Sequence, residues 1–170
     1  MKRFIHAFVS ALIIIITVGF NNAYAAQEQT QVDKNLVKVA ATNDNFQTLV
    51  MAIRAADLTG TLEGKGPFTL LAPTDEAFEM LPEGTLAELL KPENKEKLQK
   101  LITYHLLPSA ISSSAASQLK QPETVEGHPL TIENTDDGIR INGAKVIEAD
   151  IPATNGVIHV IDKVLIPPAE

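Results

Sequence analysis

The spacing of apolar residues predicts a helix early in the chain. Between positions 43 and 56 apolar residues recur three or four positions apart, which places them on one helix face. Asn43 or Asp44 can cap its start, because short polar side chains accept hydrogen bonds from the free amide groups there. Residues 58–67 contain three glycines and end in Pro67, so we predict a loop after this helix. The apolar face consists of Phe46, Leu49, Val50, Ile53 and Ala56.

The segment FTLLAPTDEAF raises the question of whether two adjacent carboxylates are catalytic groups or helix caps. Residues 68–72 are apolar on both faces and predict a short buried strand, which Pro73 ends. Thr74 then lies where a helix N-cap is expected. Asp75 and Glu76 occupy the first helical turn, where the helix dipole favours negative charge. We therefore interpret the carboxylates as part of a helix start.

Two further helices are predicted at 84–90 and 92–105, before the sequence changes character. Pro92 suits a first helical position, since its missing N–H would have no partner there. The following residues, 106–119, are rich in serine and alanine and give an ambiguous pattern. We predict a short strand at 104–107 and then a loop.

After Lys120 apolar and polar residues alternate, which predicts β-strands. Asp-Gly at 137–138 and Asn-Gly at 142–143 are hairpin signals between short alternating segments. Residues 144–151 and 156–166 are predicted as the next strands, and the last is apolar on both faces, as expected of a central strand. Helices first and strands mostly later predict an α+β fold with a largely antiparallel sheet.

The N-terminal residues 1–25 have the pattern of a secretory signal peptide. Lys2 and Arg3 give a positive start, an apolar run covers 7–20, and Ala-Tyr-Ala at 23–25 is a small-x-small cleavage pattern. An uncleaved membrane anchor is the alternative interpretation. With cleavage we expect a secreted or periplasmic protein without stable membrane insertion.

The mature chain is predicted to start near Ala26 and to contain one domain. Residues 26–34 are polar and without a period, so we expect a disordered lead-in. Residues 35–168 are then long enough for a single domain with its own core.

Composition and motif spacing exclude several classes of function. The net charge of −7 and the lack of a basic stripe argue against nucleic acid as a partner. Because the chain has no cysteine, thiolate nucleophiles and thiolate metal sites are excluded. His105, His128 and His159 lack the i, i+4 spacing of a helical metal site, and no G-x-S-x-G or P-loop motif occurs. We expect no enzymatic activity, no metal site and no cofactor.

Three segments, in order along the chain, resemble the fasciclin domain family. FTLLAPTDEAF at 68–78 is similar to the first family signature, ITYHLLP at 102–108 to its Tyr-His segment, and NGVIHVIDKVLIPP at 155–168 to its closing strand. The resemblance implies a wedge-shaped, mainly antiparallel β-sheet with several helices packed along one side. It also implies a non-enzymatic protein that acts in adhesion or protein–protein interaction at the cell surface, in the periplasm, or in an extracellular or biofilm matrix.

The same resemblance supplies candidate contact residues for an unidentified protein or matrix macromolecule. Tyr104-His105 matches a segment linked to integrin contact in animal relatives, and Asp150-Ile151 matches a second adhesion segment whose flanking residues differ here. The alternative for Tyr104 and His105 is a structural role on the apolar face of their helix.

A second hypothesis for the function comes from another class of protein. Some fasciclin-like proteins of photosynthetic organisms carry carotenoids. The chain is therefore alternatively a carrier of an apolar small ligand such as a carotenoid or a lipid.

Overall fold

The computed structural model of the chain describes residues 34–168. The predicted signal peptide, 1–25, lies outside these residues, as does the predicted lead-in, 26–34, apart from Lys34. Both therefore stay predictions. In the described part of the chain, no helix is long and apolar enough to span a membrane.

Within residues 34–168 the chain forms seven short α-helices. The helix predicted for 43–56 begins as a 3₁₀ turn at Asp44–Phe46, which Asn43 caps, and continues as α2. A second 3₁₀ turn, at Pro92–Asn94, precedes α6. The helices are α1 (Leu36–Ala41), α2 (Gln47–Ala55), α3 (Thr59–Glu63), α4 (Asp75–Glu79), α5 (Thr85–Leu89), α6 (Lys95–Tyr104) and α7 (Ser113–Ala116).

Six strands form one sheet in the order β2-β1-β6-β5-β4-β3. Neighbouring strands are antiparallel except β1 and β6, which run parallel from Phe68↔Gly156 to Pro73↔Ile161. The closing strand β6 therefore lies between β1 and β5, which is the central position that its apolar faces predict. The strands are β1 (Phe68–Pro73), β2 (Leu106–Leu107), β3 (Ile132–Thr135), β4 (Gly138–Ile141), β5 (Ala144–Ala153) and β6 (Gly156–Ile161).

The sheet has a hydrophobic core on each face. Because side chains alternate along a strand, Leu70 and Ile158 face the helices, while Leu71 and Ile161 face the opposite core. The first core is built with α1 to α6, as the predicted packing of helices along one side requires. The second core is closed by β3, β4 and the loops around them, and the described helices contribute to it only through Ala116 of α7 and Tyr104 at the end of α6. The α+β fold class predicted from the sequence is confirmed.

Asp75 caps a different helix from the one on which it lies. Thr74 caps α4, since its Oγ1 accepts the Ala77 N–H at 3.2 Å, as predicted. The Asp75 carboxylate accepts the N–H groups of Gln47 and Thr48 at 3.3 and 2.7 Å, in the first turn of α2. A charged acceptor at this end of α2 satisfies free amide groups and complements the helix dipole. The Asp75 carboxylate thus joins α4 to α2.

Helices α1 and α3 are absent from the sequence-based prediction, which placed a loop at 58–67. Both depend on Asn155. Its Oδ1 accepts the Leu36 N–H at 3.0 Å, and its Nδ2 donates to the carbonyls of Leu62 and Gly64 at 2.7 and 2.9 Å. One amide side chain thereby satisfies free backbone groups at the start of α1 and the end of α3. The sequence around Asn155 does not reveal this role, because the groups it satisfies lie 119 and 93 positions away.

Two boundaries near the ends of predicted elements also differ. The closing strand ends at Ile161 and not at 166, and residues 162–168 continue as an irregular segment. Helix α7 lies in the predicted loop, where Ser112 caps it by accepting the Ala115 N–H. The buried side chain of Ala116 fixes α7 against the second core, a contact that local sequence does not reveal.

Candidate functional site

Tyr104 and His105 lie at the end of α6 with buried side chains. Their exposed fractions are 3% and 1%, so neither side chain offers surface to a partner in this structure. The Tyr104 hydroxyl accepts a hydrogen bond from Nδ2 of Asn142 at 2.7 Å. Asn142 belongs to the Asn-Gly hairpin and has a positive φ of 49°. Tyr104 therefore links α6 to the hairpin between β4 and β5. A contact role for this residue pair stays a prediction.

His105 holds the irregular C-terminal segment against α6. Its Nδ1 is 2.8 Å from the Leu101 carbonyl, and its Nε2 is 3.0 Å from the Leu165 N–H. A carbonyl can only accept and an N–H can only donate, so Nδ1 carries the proton and Nε2 accepts. Burial lowers the pKa of His105 from 6.5 to about 4, although the hydrogen bond to Leu101 acts in the opposite direction. The side chain is accordingly neutral and fixed in one tautomer.

Asp150 and Ile151 lie at an irregularity in β5. The register between β5 and β6 shifts between Glu148 and Ile151, and Asp150 has a positive φ of 60°. Asp150 is exposed, whereas Ile151 is half-buried against the helical core. Within residues 34–168, no hydrogen bond joins this pair to Tyr104 or His105. The two predicted contact segments therefore do not form one hydrogen-bonded site.

The Asp150 carboxylate anchors the start of α7. It accepts hydrogen bonds from the hydroxyl and from the backbone N–H of Ser113. These two bonds, the hydroxyl first, lower the pKa of Asp150 below its usual value. Although the Asp150 carboxylate is exposed, it is already hydrogen-bonded to Ser113 of the same domain.

Ser113, Asp150 and His159 are close together but do not form a catalytic triad. His159 Nε2 donates to the Ile111 carbonyl at 2.7 Å, and its Nδ1 accepts the Asp150 N–H at 3.1 Å. Neither ring nitrogen is left to take a proton from Ser113, whose hydroxyl donates to Asp150. A serine nucleophile needs a base within hydrogen-bonding reach, and this arrangement provides none. The cluster fixes the loop before α7.

The described residues form no metal site. Within 34–168, no group of three or more histidine, aspartate or glutamate side chains is placed to hold a metal ion. His128 donates from Nδ1 to the Glu126 carboxylate at 2.6 Å. The side chain of Glu126 is 6% exposed, so this pair is largely shielded on its acidic side.

An apolar groove lies between α5, α6 and the irregular C-terminal segment. It has a volume of about 390 Å³, and we call it the C-terminal groove. Ile166 stands in one wall with 65% of its surface exposed, although it is a large apolar residue. Charged groups line it at Lys97, Lys100 and Glu126. The apolar lining is Leu81, Leu89, Leu101, Val164, Ile166, Pro167 and Pro168.

Sequence analysis missed the C-terminal groove. Its walls come from helices near position 90 and from a segment after 162, which no local pattern connects. The available signal was Ile166, an apolar residue directly before Pro167 and Pro168. A strand cannot continue through two prolines, so an apolar residue beside them need not belong to the sheet.

A second, more polar cleft of about 660 Å³ lies around Gly66 and Gly156. Here the backbone before β1 packs directly on the turn before β6. A Cβ atom at Gly66 would lie 1.9 Å from the Asn155 carbonyl oxygen, and one at Gly156 would lie 2.0 Å from that of Phe68. These glycines are needed for close backbone packing. This cleft exposes little apolar surface, whereas the C-terminal groove leaves apolar side chains open.

The fold and the order of its elements are those of a fasciclin-type domain, and the chain belongs to the fasciclin domain family. The family model for this domain matches residues 44–167. The resemblance drawn from residues 68–78, 102–108 and 155–168 is thus confirmed. Among solved structures, a FAS1 domain pair from the insect cell adhesion molecule fasciclin I is similar, with a TM-score of 0.70 and 16% identity. The match covers 79% of this chain and 51% of that chain, and it shows the fold alone.

Relatives occur in bacteria and in animals. The protein sll1483 of Synechocystis is 47% identical over 147 residues, which cover 86% of this chain and 81% of that protein. Cell surface glycolipoprotein MPB83 of Mycobacterium bovis is 30% identical over 159 residues, covering 86% and 70% of the two chains. Human periostin is 36% identical over 139 residues, which are 81% of this chain but only 16% of periostin.

Proposed function

We propose that the protein is an exported, non-enzymatic fasciclin-domain protein that mediates adhesion or protein–protein interaction. It acts at the cell surface, in the periplasm or in an extracellular matrix. Family membership supports this class of function, and relatives include a cell surface glycolipoprotein and periostin. The observation that carries the proposal is the C-terminal groove, where apolar side chains stay open to solvent. Interaction sites are typically built around such surface.

The mechanism is surface complementarity without bond formation. Burying Ile166 against a partner would contribute about 1.5–3 kcal/mol, the usual value for a large aliphatic side chain. One groove of this size gives a modest affinity. Several copies that act together bind far more tightly, because the second contact becomes intramolecular. The proposed adhesion therefore relies on repeated display of the domain.

A capture experiment tests this proposal. Purified protein is immobilised and exposed to native envelope and culture medium, beside an Ile166→Asp variant. Ile147→Asp is the matched control, because Ile147 is also an exposed isoleucine, at 53%, and does not line the groove. Circular dichroism first establishes that all three proteins are folded. We expect a macromolecule that wild type and Ile147→Asp capture and that Ile166→Asp does not.

The C-terminal groove also favours a second candidate function, the carriage of an apolar small ligand such as a carotenoid or a lipid. Its volume of about 390 Å³ lies in the usual range of ligand pockets, roughly 300–1,000 Å³, and its lining is mainly aliphatic. Protein purified from its native host tests this candidate. A carotenoid would give visible absorbance, and organic extraction with mass spectrometry would detect a lipid. A ligand-free native protein would leave only the interaction function.

A further inference from the structure

We propose that the C-terminal groove binds single-chain amphiphiles with an anionic head group, with the chain on the aliphatic lining and the head group at Lys97. This inference rests on the carrier function proposed above and specifies its ligand class. It distinguishes a charged amphiphile from a neutral hydrocarbon pigment.

The lining of the groove suits a hydrocarbon chain. Leu89 and Leu101, from α5 and α6, face Val164 and Ile166 of the C-terminal segment. None of these aliphatic side chains can form a hydrogen bond with a polar ligand. Each methylene group moved from water onto them strengthens binding about fourfold. Affinity for the groove should therefore increase with the length of the chain.

Lys97 supplies the preference for negative charge. It lines the groove and is exposed, and within residues 34–168 it has no hydrogen-bond or ion-pair partner. Lys100 is on the same side of α6 and also lines the groove. Glu126 also lines the groove, but its carboxylate is shielded and accepts a hydrogen bond from His128. On a chain with a net charge of −7, the charge of Lys97 makes this part of the groove complementary to an anion.

His105 positions the wall of the groove without touching the ligand. Its Nε2 accepts the N–H of Leu165, which lies between the two wall residues Val164 and Ile166. Loss of this hydrogen bond would release the segment from α6 and widen the groove. The Tyr-His segment thus acts on the groove through the backbone of the C-terminal segment.

Three probes with the same twelve-carbon chain test the proposal: dodecanoate, dodecanol and dodecyltrimethylammonium. Each is titrated into isotope-labelled protein below its micelle concentration, and amide shifts are followed by NMR. We expect saturable shifts at Leu101, Val164 and Ile166, with affinity falling from dodecanoate to dodecanol to dodecyltrimethylammonium. Ile166→Asp should weaken dodecanoate binding about tenfold, the value of a large buried aliphatic contact, whereas Ile147→Asp should not.

A charge reversal isolates the head-group contact. Lys97→Glu should weaken dodecanoate binding about fivefold, as expected of an exposed ion pair, and should leave dodecanol binding unchanged. Lys120→Glu, at an exposed lysine outside the groove, is the control and should change neither. A second variant tests the role of the groove wall. His105→Asn should shift the NMR signal of the Leu165 amide and should weaken the binding of dodecanoate and of dodecanol to the same extent.

Equal affinity for the three probes, or shifts outside the groove, would overturn the inference. A neutral pigment extracted from native protein that fails to bind dodecanoate would leave the carrier function standing and refute the anionic ligand class. If native protein carries no small ligand but dodecanoate binds at the groove, the ligand class is supported and the carrier function falls.

Discussion

Acidification tests the internal position of His105. At neutral pH the folded and unfolded states both contain a neutral histidine here. Between pH 6.5 and about 4 the unfolded chain binds a proton and the folded protein does not, because burial has lowered the pKa of His105. The free energy of unfolding therefore falls as the pH falls through this interval. Below about pH 4 both states are protonated, and this contribution is fully lost.

The size of the effect follows from the two pKa values. Each pH unit between 6.5 and about 4 corresponds to about 1.4 kcal/mol, so the total loss is about 3 kcal/mol. Domains of this size have about 5–15 kcal/mol of stability, so the loss is a large fraction of the total. Burial is the cause of the lowered pKa, and a protonated His105 would in addition be unable to accept the Leu165 N–H.

Urea unfolding followed by circular dichroism measures this loss when it is carried out at about pH 7 and at about pH 4.5. These two values span most of the pH interval in which the unfolded chain alone binds the proton. His105→Asn should be less stable at neutral pH but should lose much less stability on acidification than wild type. NMR titration of the His105 ring in wild type provides a direct reading. Titration near 6.5, or equal acid sensitivity in wild type and His105→Asn, would refute the reasoning.

Two further predictions concern the contacts that organise the fold. Asp75→Ala should lower the free energy of unfolding by about 1–2 kcal/mol, because it removes the cap from α2. Glu76→Ala should change that free energy by less than about 0.5 kcal/mol. Equal effects of the two substitutions would contradict the assigned cap. Gly156→Ala should lower the free energy of unfolding by about 2 kcal/mol or more, because the added Cβ would overlap the Phe68 carbonyl. The control is Gly60→Ala, whose added Cβ would have no atom within 4 Å and should be neutral or slightly stabilising. Urea unfolding measures both.

The elements that could be predicted from the sequence are those set by local chemistry. Both hairpins form near the predicted positions: Asn142-Gly143 is the turn between β4 and β5, whereas the turn between β3 and β4 lies at Asp136-Asp137, one residue before the predicted Asp-Gly pair. Thr74 caps α4 because its acceptor lies three residues from its donor. The central position of β6 followed from its two apolar faces.

The elements that could not be predicted depend on contacts distant in sequence. Asn155 satisfies backbone groups of α1 and α3 across 119 and 93 positions, so neither helix is encoded by its own segment alone. Asp75 reaches α2 across 27 positions. The pattern around Asp75 therefore identified a helix start correctly but not the second helix that it stabilises.

The candidate site shows the same division. The family resemblance predicted Tyr104 and His105 as contact residues, and both side chains are buried in the structure. The sequence drew no attention to the C-terminal groove, because the groove exists only after α6 and residues 162–168 pack together. Through Leu165 the two are connected, since His105 fixes the segment that carries Ile166.

The central claim is that the domain binds a macromolecule through the C-terminal groove. Its most direct test is a saturation curve for fluorescently labelled protein on intact cells or envelopes of the native host, measured for wild type, Ile166→Asp and Ile147→Asp. We predict saturable binding that Ile166→Asp weakens about tenfold or more, from the loss of one buried aliphatic contact and the added charge, and that Ile147→Asp leaves intact. Identical curves for all three proteins, or no saturable binding, would contradict the claim.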